Sequence, residues 1–237
     1  MAGSKANETR MKIHREARTT GFFSSPMRQM SCGSSLVSEQ LFAYIPSMKP
    51  RDPEKERALL AAALAVADRE GLEALTVQKV ARQAGLAVGT VYVYFGGKED
   101  LLRTLYLRSK ARAGIEVLAG FTPEIPFRQA VLLICRNQFT FLVENRREAA
   151  FQRQFYRSGL TDAQTSAVSR LYLDPLEALV TRGQNEGLVK PWEPAVVLRF
   201  VLAVLRDAAD AAADLGPDER TTLADRAVEF CLAGIAP

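Results

Sequence analysis

The sequence has few of the residues on which most enzymes and metal sites depend. Its 237 residues include one histidine and three cysteines, and no two of the cysteines form a C-x2-C pair. Neither a disulfide framework nor a structural zinc site is therefore expected. The single histidine, His14, lies in the amino-terminal arm described below, so a catalytic triad has no base. We predict that the chain is not an enzyme and that it holds no metal ion and no cofactor.

Two further absences narrow the class of protein. No G-x-G-x-x-G or G-x4-G-K-[ST] motif is present, which argues against the common nucleotide-binding folds. No uninterrupted apolar run approaches the roughly 18 to 20 residues that span a bilayer. With 48% hydrophobic and 24% charged residues, the composition is that of an ordinary globular chain. We expect no membrane partner, and the unpaired cysteines favour the reducing cytoplasm.

The net charge of +4 is unevenly distributed along the chain. Residues 1–47 have six Lys and Arg against three Asp and Glu, and residues 48–112 have twelve against eight. Residues 113–237 have thirteen against sixteen. A basic first half joined to a slightly acidic second half suggests an anion-binding module linked to a different domain. Differences of this size also arise by chance, so the charge alone does not decide between these explanations.

The amino-terminal arm, residues 1–50, has no helical or strand period and mixes Ser, Gly, Pro, Met and scattered basic residues. This composition predicts a disordered arm. Met48 stands directly before the ordered pattern. A second interpretation is that Met48 is the natural start and that residues 1–47 are not native.

From Glu54 onward the spacing of apolar residues predicts helices and no strands, which indicates an all-α protein. The first helix has a regular apolar face, and Gly71 is expected to end it in the left-handed conformation. Thr76 caps a short second helix that Gly85 closes, a third runs from Val88 to Phe95, and Lys98 opens a fourth. The later helices are predicted at Phe127 to Asn145, Arg147 to Arg157, Asp162 to Glu186, Pro194 to Asp214 and Asp218 to Leu232.

The segment from Thr76 to Phe95 carries the most specific signal. Two short helices joined by a tight turn containing a glycine have the form of a helix-turn-helix, whose second helix enters the major groove of DNA. The small residues Ala87 and Gly89 would let the backbone approach the DNA closely. Hydroxyl groups on Thr90, Tyr92 and Tyr94 could contact phosphates or bases.

Residues 54–108 closely resemble the TetR family of bacterial transcriptional regulators, and the remaining helices resemble it in layout. The resemblance implies a three-helix DNA-binding unit followed by a larger helical domain for ligand binding and dimerisation. We place the first at residues 53–113, with the helix-turn-helix at 76–95, and the second at 114–237. The matching residues are Ala61–Ala63, Gly71, Thr76, Val80, Ala81, Ala84–Leu86, Gly89, Thr90, Tyr92, Tyr94, Phe95 and Lys98–Leu102.

The resemblance also implies which residues contact DNA. The positions of Gln78, Val88, Gly89 and Thr90 face bases or nearby phosphates in such proteins, while those of Tyr92, Tyr94 and Lys98 contact the DNA backbone. Together with the capping residue, the candidate DNA-binding residues are Thr76, Gln78, Val88, Gly89, Thr90, Tyr92, Tyr94 and Lys98.

Three positions depart from the family pattern. Ala87 stands where Ser or Thr is common and cannot cap the recognition helix, a loss of about 0.5 to 2 kcal/mol. Val93 and the pair Gly96-Gly97 replace residues that are often polar or basic. These departures support an alternative function, a helical ligand-binding or adaptor protein with weakened or lost DNA binding. A carboxylate-dependent helical enzyme is a third class, but no local group of residues favours it.

The second half of the chain is expected to dimerise and to bind an effector. Residues 194–214 have apolar residues around too much of the helix for one packing neighbour, which predicts a homodimer through the last two helices. Aromatic and polar residues between 98 and 186 suggest a pocket for an apolar or amphipathic small molecule. Its candidate residues are Tyr106, Arg136, Phe139, Phe155 and Tyr172. The resulting hypothesis is a homodimeric repressor that leaves a palindromic double-stranded DNA operator when the effector binds.

Overall fold

A computed structural model describes residues 52–237 of the protein. The predicted arm of residues 1–50, with His14 and the alternative start at Met48, lies outside the described residues. Within residues 52–237 the chain forms α-helices, one 3-10 turn and no strands, which confirms the predicted all-α fold. The helices are α1 (Pro53–Ala74), α2 (Val77–Ala84), α3 (Val88–Tyr94), α4 (Lys98–Val117), α5 (Phe127–Glu144), α6 (Arg146–Arg157), α7 (Ala163–Asn185), α8 (Pro194–Ala211) and α9 (Pro217–Ile235).

Helix α1 begins as its sequence predicts and ends differently. The Asp52 side chain accepts a hydrogen bond of 3.0 Å from the Glu54 amide, and Pro53 occupies the first helical position. Gly71 interrupts the helix at the predicted position, but its conformation is not the predicted left-handed helical one. Gly71 has φ +81° and ψ 166°, which kinks the chain, and the helical segment continues to Ala74. A glycine adopts this positive φ without strain. Leu72, which follows the kink, is buried in the core.

The amino-terminal core is not built by the amino-terminal helices alone. Apolar side chains of α1, α2, α3 and the first half of α4 form one buried cluster, and α6 adds Phe151 and Phe155 to it. The rings of Phe155 and Tyr106 stack with their centroids 4.4 Å apart. The DNA-binding unit expected from the sequence therefore shares its core with a helix from the second half of the chain.

A second apolar cluster holds the carboxyl-terminal helices together. It contains residues of α5, α7, α8 and α9, with Ala113 and Val117 from the end of α4. Three predicted boundaries shift within this part. The helix predicted to run from Pro194 to Asp214 ends at Ala211 and passes into a 3-10 turn, and α9 begins one residue earlier than predicted and continues to Ile235. Within the described part of the chain, no helix has the length and apolarity needed to cross a membrane.

Helix α4 crosses from one cluster to the other and is fixed by buried ion pairs. Arg108 pairs with Glu56 of α1, and Arg112 pairs with Glu148 of α6 with an N to O distance of 2.7 Å. Arg147 of α6 pairs with Asp68 of α1 at 3.1 Å. We call these three pairs the junction. It connects the amino-terminal helices to the rest of the protein through two elements, α4 and α6.

Candidate DNA-binding surface

Local signals fix both ends of α2. The Thr76 hydroxyl accepts a hydrogen bond from the Lys79 amide at 3.3 Å, so Thr76 caps the helix as predicted. At the other end Gly85 has φ +67° and ψ 29°, and the Leu86 amide donates to the Ala81 carbonyl at 2.9 Å. This left-handed glycine reverses the chain within a few residues. The turn sets α3 against α2.

Helix α3 is seven residues long and lies with one side on the core. Val91 is fully buried, while Tyr92 is 57% exposed and Val93 is similarly exposed on the other side. Ala87 precedes the helix and its side chain makes no capping hydrogen bond, which confirms the missing cap. The exposed side of a short helix set on a helical partner has the dimensions that the major groove admits.

Apart from Thr76, which is exposed and caps α2, four of the candidate DNA-binding residues are exposed: Gln78, Val88, Gly89 and Tyr92. Thr90 is partly exposed, on the turn of α3 that follows Ala87. These five residues occupy the outer side of the helix-turn-helix and form one surface, which we call the α2–α3 surface. Their assignment to DNA contact stays a prediction.

The other three candidates have roles inside the protein. Thr76 uses its hydroxyl to cap α2. Tyr94 is only 7% exposed, and its ring is part of the amino-terminal core. Lys98 donates a hydrogen bond of 3.0 Å from Nζ to the Glu73 carbonyl, which ties the start of α4 to the end of α1. Tyr94 or Lys98 could contact DNA only through atoms that these internal contacts leave free.

Arg82, which is not among the residues predicted from the sequence, is exposed on α2 four residues after Gln78. Residues spaced by four lie on the same side of a helix. Lys79, in contrast, is engaged, because its Nζ pairs with Glu70 at 2.7 Å and donates to the Ala74 carbonyl at 2.8 Å. Among the described residues Arg82 forms no ion pair, so its charge is available to a phosphate. Its spacing from Gln78 was the signal that could have identified it.

The five candidate effector-binding residues lie in different surroundings, and their assignment to an effector pocket stays a prediction. Tyr106 and Phe155 stack in the amino-terminal core, and the Tyr106 hydroxyl lies 3.0 Å from Ser169 Oγ. Arg136 is exposed and pairs with Asp225 of α9 at 3.0 Å. Phe139 is buried in a small cluster with residues at the end of α8. Tyr172 is buried in the carboxyl-terminal cluster.

Residues 59–105 match the family profile described as "Bacterial regulatory proteins, tetR family". This segment spans the core of α1, the helix-turn-helix and the first turns of α4. Residues 59–105 therefore form a DNA-binding domain of the TetR type. The match contains the helix-turn-helix residues from which the sequence analysis drew its resemblance.

Longer alignments relate the chain to bacterial transcriptional regulators. It is 28% identical over 145 residues to the fatty acid metabolism regulator protein of Bacillus subtilis, an alignment covering 60% of this chain and 74% of that protein. It is 39% identical over 74 residues to the transcriptional repressor KstR of Mycolicibacterium smegmatis, covering 30% of this chain and 36% of the repressor.

The fold resembles that of a solved regulator over most of its length. The crystal structure of the transcriptional regulator FadR from Bacillus subtilis in complex with stearoyl-CoA has a TM-score of 0.59 and 20% sequence identity. The match covers 75% of this chain and 98% of that one. The likeness therefore includes the carboxyl-terminal helices, which lie outside the family profile.

Proposed function

We propose that this TetR-family regulator is a homodimeric repressor that binds a palindromic DNA operator in the cytoplasm and leaves it when an acyl-chain effector binds. The observation that carries the DNA-binding part is the α2–α3 surface. It combines an exposed helix face with backbone accessible at Gly89 and hydrogen-bonding side chains at Gln78, Thr90 and Tyr92. Such a surface supplies both groove contacts and phosphate contacts.

Dimerisation is supported by the outer side of α8 and α9. The side chains of Phe200 on α8 and Phe230 on α9 are 55% and 67% exposed, although the two helices pack on each other. We call the exposed surface around these two residues the α8–α9 face. Large apolar side chains are costly to leave in water, and a two-fold axis through this face would bury both helices of each subunit. A dimer would then present two α3 helices to the two halves of a palindrome.

The acyl-chain effector is supported by the relatives and by the carboxyl-terminal cluster. One relative is named a fatty acid metabolism regulator, and the FadR structure holds stearoyl-CoA. The cluster formed by α5, α7, α8 and α9 supplies the apolar environment that an acyl chain requires. Repression is supported by the name of the KstR relative.

The junction offers a route from effector to DNA. A ligand that displaces α4 or α6 would move α1, because the buried pair Glu56–Arg108 links α1 to α4 and the exposed pair Asp68–Arg147 links α1 to α6. The spacing of the two α3 helices in the dimer would change, and the DNA-binding state would become less populated.

A gel-shift titration tests the proposal, using the full chain and the promoter region next to its own gene at several salt concentrations. We expect a specific complex whose affinity falls steeply with salt, and its release by added stearoyl-CoA. A chain that binds stearoyl-CoA and no DNA at any salt concentration would instead support the adaptor function.

A further inference from the structure

One half-buried lysine lies between α4 and α7 without an acidic partner. Lys110 is on α4, two residues from both Arg108 and Arg112, so it projects from the opposite side of that helix. Its Nζ lies over the ring of Tyr172 on α7, 4.7 Å from the ring centroid. Among the described residues it makes no hydrogen bond and no ion pair. Burial alone lowers its pKa to about 8, with no neighbouring carboxylate to oppose the shift.

The same tyrosine is held by a second polar side chain. The buried Tyr172 hydroxyl donates to Oε1 of Gln138 on α5, which is buried as well. The amide nitrogen of Gln138 forms no hydrogen bond with another described residue. The Lys110 ammonium and the Gln138 amide nitrogen thus both lie near Tyr172. Neither of these two donors has a hydrogen-bond acceptor among the described residues. Donors that have no acceptor within the protein are available to a ligand that supplies one.

The surroundings of this group are apolar. Tyr172 belongs to the carboxyl-terminal cluster, with Ala113 and Val117 of α4 on the same side of that helix as Lys110. Cys135 of α5 belongs to the same cluster. A molecule that satisfied the two donors would therefore have an anionic end and an apolar body.

We propose that Lys110 and Gln138 bind the anionic end of an apolar effector, a carboxylate or an equivalent oxygen-rich group, where α4, α5 and α7 meet. The inference rests on the proposed function, since it specifies the polar contact of the acyl-chain effector. It also links binding to the response, because the helix that carries Lys110 carries Arg108 and Arg112 of the junction.

The test measures binding of three probes to the full chain by isothermal titration calorimetry: stearate, stearoyl-CoA and 1-octadecanol. We expect Lys110→Met to weaken binding of stearate about 10- to 100-fold, the usual effect of losing a charge-assisted hydrogen bond. Binding of the uncharged alcohol should stay the same. A loss for stearate identifies the carboxylate as the bound group, and a loss confined to stearoyl-CoA identifies an anionic group of its head.

Lys190→Met is the matched control. Lys190 also lies over an aromatic ring, 5.3 Å from the centroid of Trp192, but its Nζ donates to the Gly234 carbonyl outside the proposed site. The Lys190→Met substitution removes the same charge as Lys110→Met and should leave the affinities for all three probes unchanged. Thermal unfolding of Lys110→Met should show an intact fold, since methionine fills the space of the lysine stem without a buried charge.

Equal affinities of wild type and Lys110→Met for every probe would overturn the inference, as would a wild type that binds none of the three. Gel shifts on the same preparations separate this failure from that of the proposed function. If the wild type binds DNA specifically and Lys110→Met does not change the binding of any probe, the proposed function stands and the proposed site at Lys110 is wrong. A wild type that binds no DNA would contradict the proposed function.

Discussion

The α2–α3 surface and the α8–α9 face both expose large apolar side chains, but their surroundings differ. On the α2–α3 surface Tyr92 and Val88 stand among Gln78, Thr90 and an available arginine, on a helix of seven residues. On the α8–α9 face the exposed phenylalanines lie on helices of 18 and 19 residues that already pack together. A surface that combines apolar contacts with hydrogen-bond donors, such as the α2–α3 surface, is suited to bind DNA. An apolar surface on two long, packed helices, such as the α8–α9 face, is suited to bind another copy of the chain.

The largest expected effect comes from disrupting the α8–α9 face. Replacing both Phe200 and Phe230 by Glu should give a monomer in sedimentation velocity, because charges would be buried at the two-fold axis. Operator affinity should fall at least about 100-fold, since the two half-sites are no longer bound together. Tyr156→Glu is the control, because Tyr156 on α6 is 72% exposed and lies outside this face. A double variant that remains a dimer would assign the face to another role.

A smaller effect is expected from the α2–α3 surface. Tyr92→Phe removes one hydroxyl and should lower operator affinity about 10- to 100-fold if that hydroxyl contacts a phosphate. The melting temperature should not change, since the side chain is exposed. Gel shifts beside Tyr156→Phe measure the difference. Unchanged affinity would show that α3 contacts DNA through other residues.

The caps allow a comparison within the helix-turn-helix itself. Ala87→Ser should add the missing cap of α3 and raise the free energy of unfolding by up to about 1 kcal/mol, while Thr76→Ala should lower it by about 1 kcal/mol. Urea unfolding followed by circular dichroism measures both. Thr76→Ser keeps a capping oxygen and should resemble the wild type. An Ala87→Ser variant less stable than wild type would contradict the assignment of Ala87 as the capping position.

The smallest effect concerns the junction between the two surfaces. Burial raises the pKa of Glu148 from the ordinary 4.5 to about 7, despite its pairing with Arg112. The folded form therefore keeps a proton that the unfolded form has lost, and stability from this residue falls as pH rises from about 4.5 through 7. Glu148→Gln should flatten this part of the curve of unfolding free energy against pH. The same slope in both proteins would assign it to other groups.

The helix-turn-helix could be predicted almost to the residue because its signals are local. Thr76 and Gly85 act on neighbouring backbone groups, so the bounds of α2 follow from the sequence alone. The burial of Tyr94 could not be predicted in this way. Which side of a seven-residue helix faces the core depends on how α3 lies against its neighbours.

The effector site shows the same limit over longer distances. Tyr106 and Phe155 are 49 positions apart in the sequence and stack in the amino-terminal core, a contact that the sequence does not predict. Lys110 was not selected from the sequence, because a lysine in a charged helix is ordinarily exposed. Only the packing of α4 on α7 places its ammonium over Tyr172.

The contribution of α6 to the amino-terminal core limits how this protein can be recombined with others. A hybrid regulator that joins residues 52–113 to a foreign sensor would lose Phe151 and Phe155, and would expose the face of Tyr106 on which Phe155 stacks. The amino-terminal helices of this chain are therefore not expected to fold as an independent domain. An exchange that keeps this unit folded must transfer α6 as well, although more than thirty residues separate α6 from residue 113.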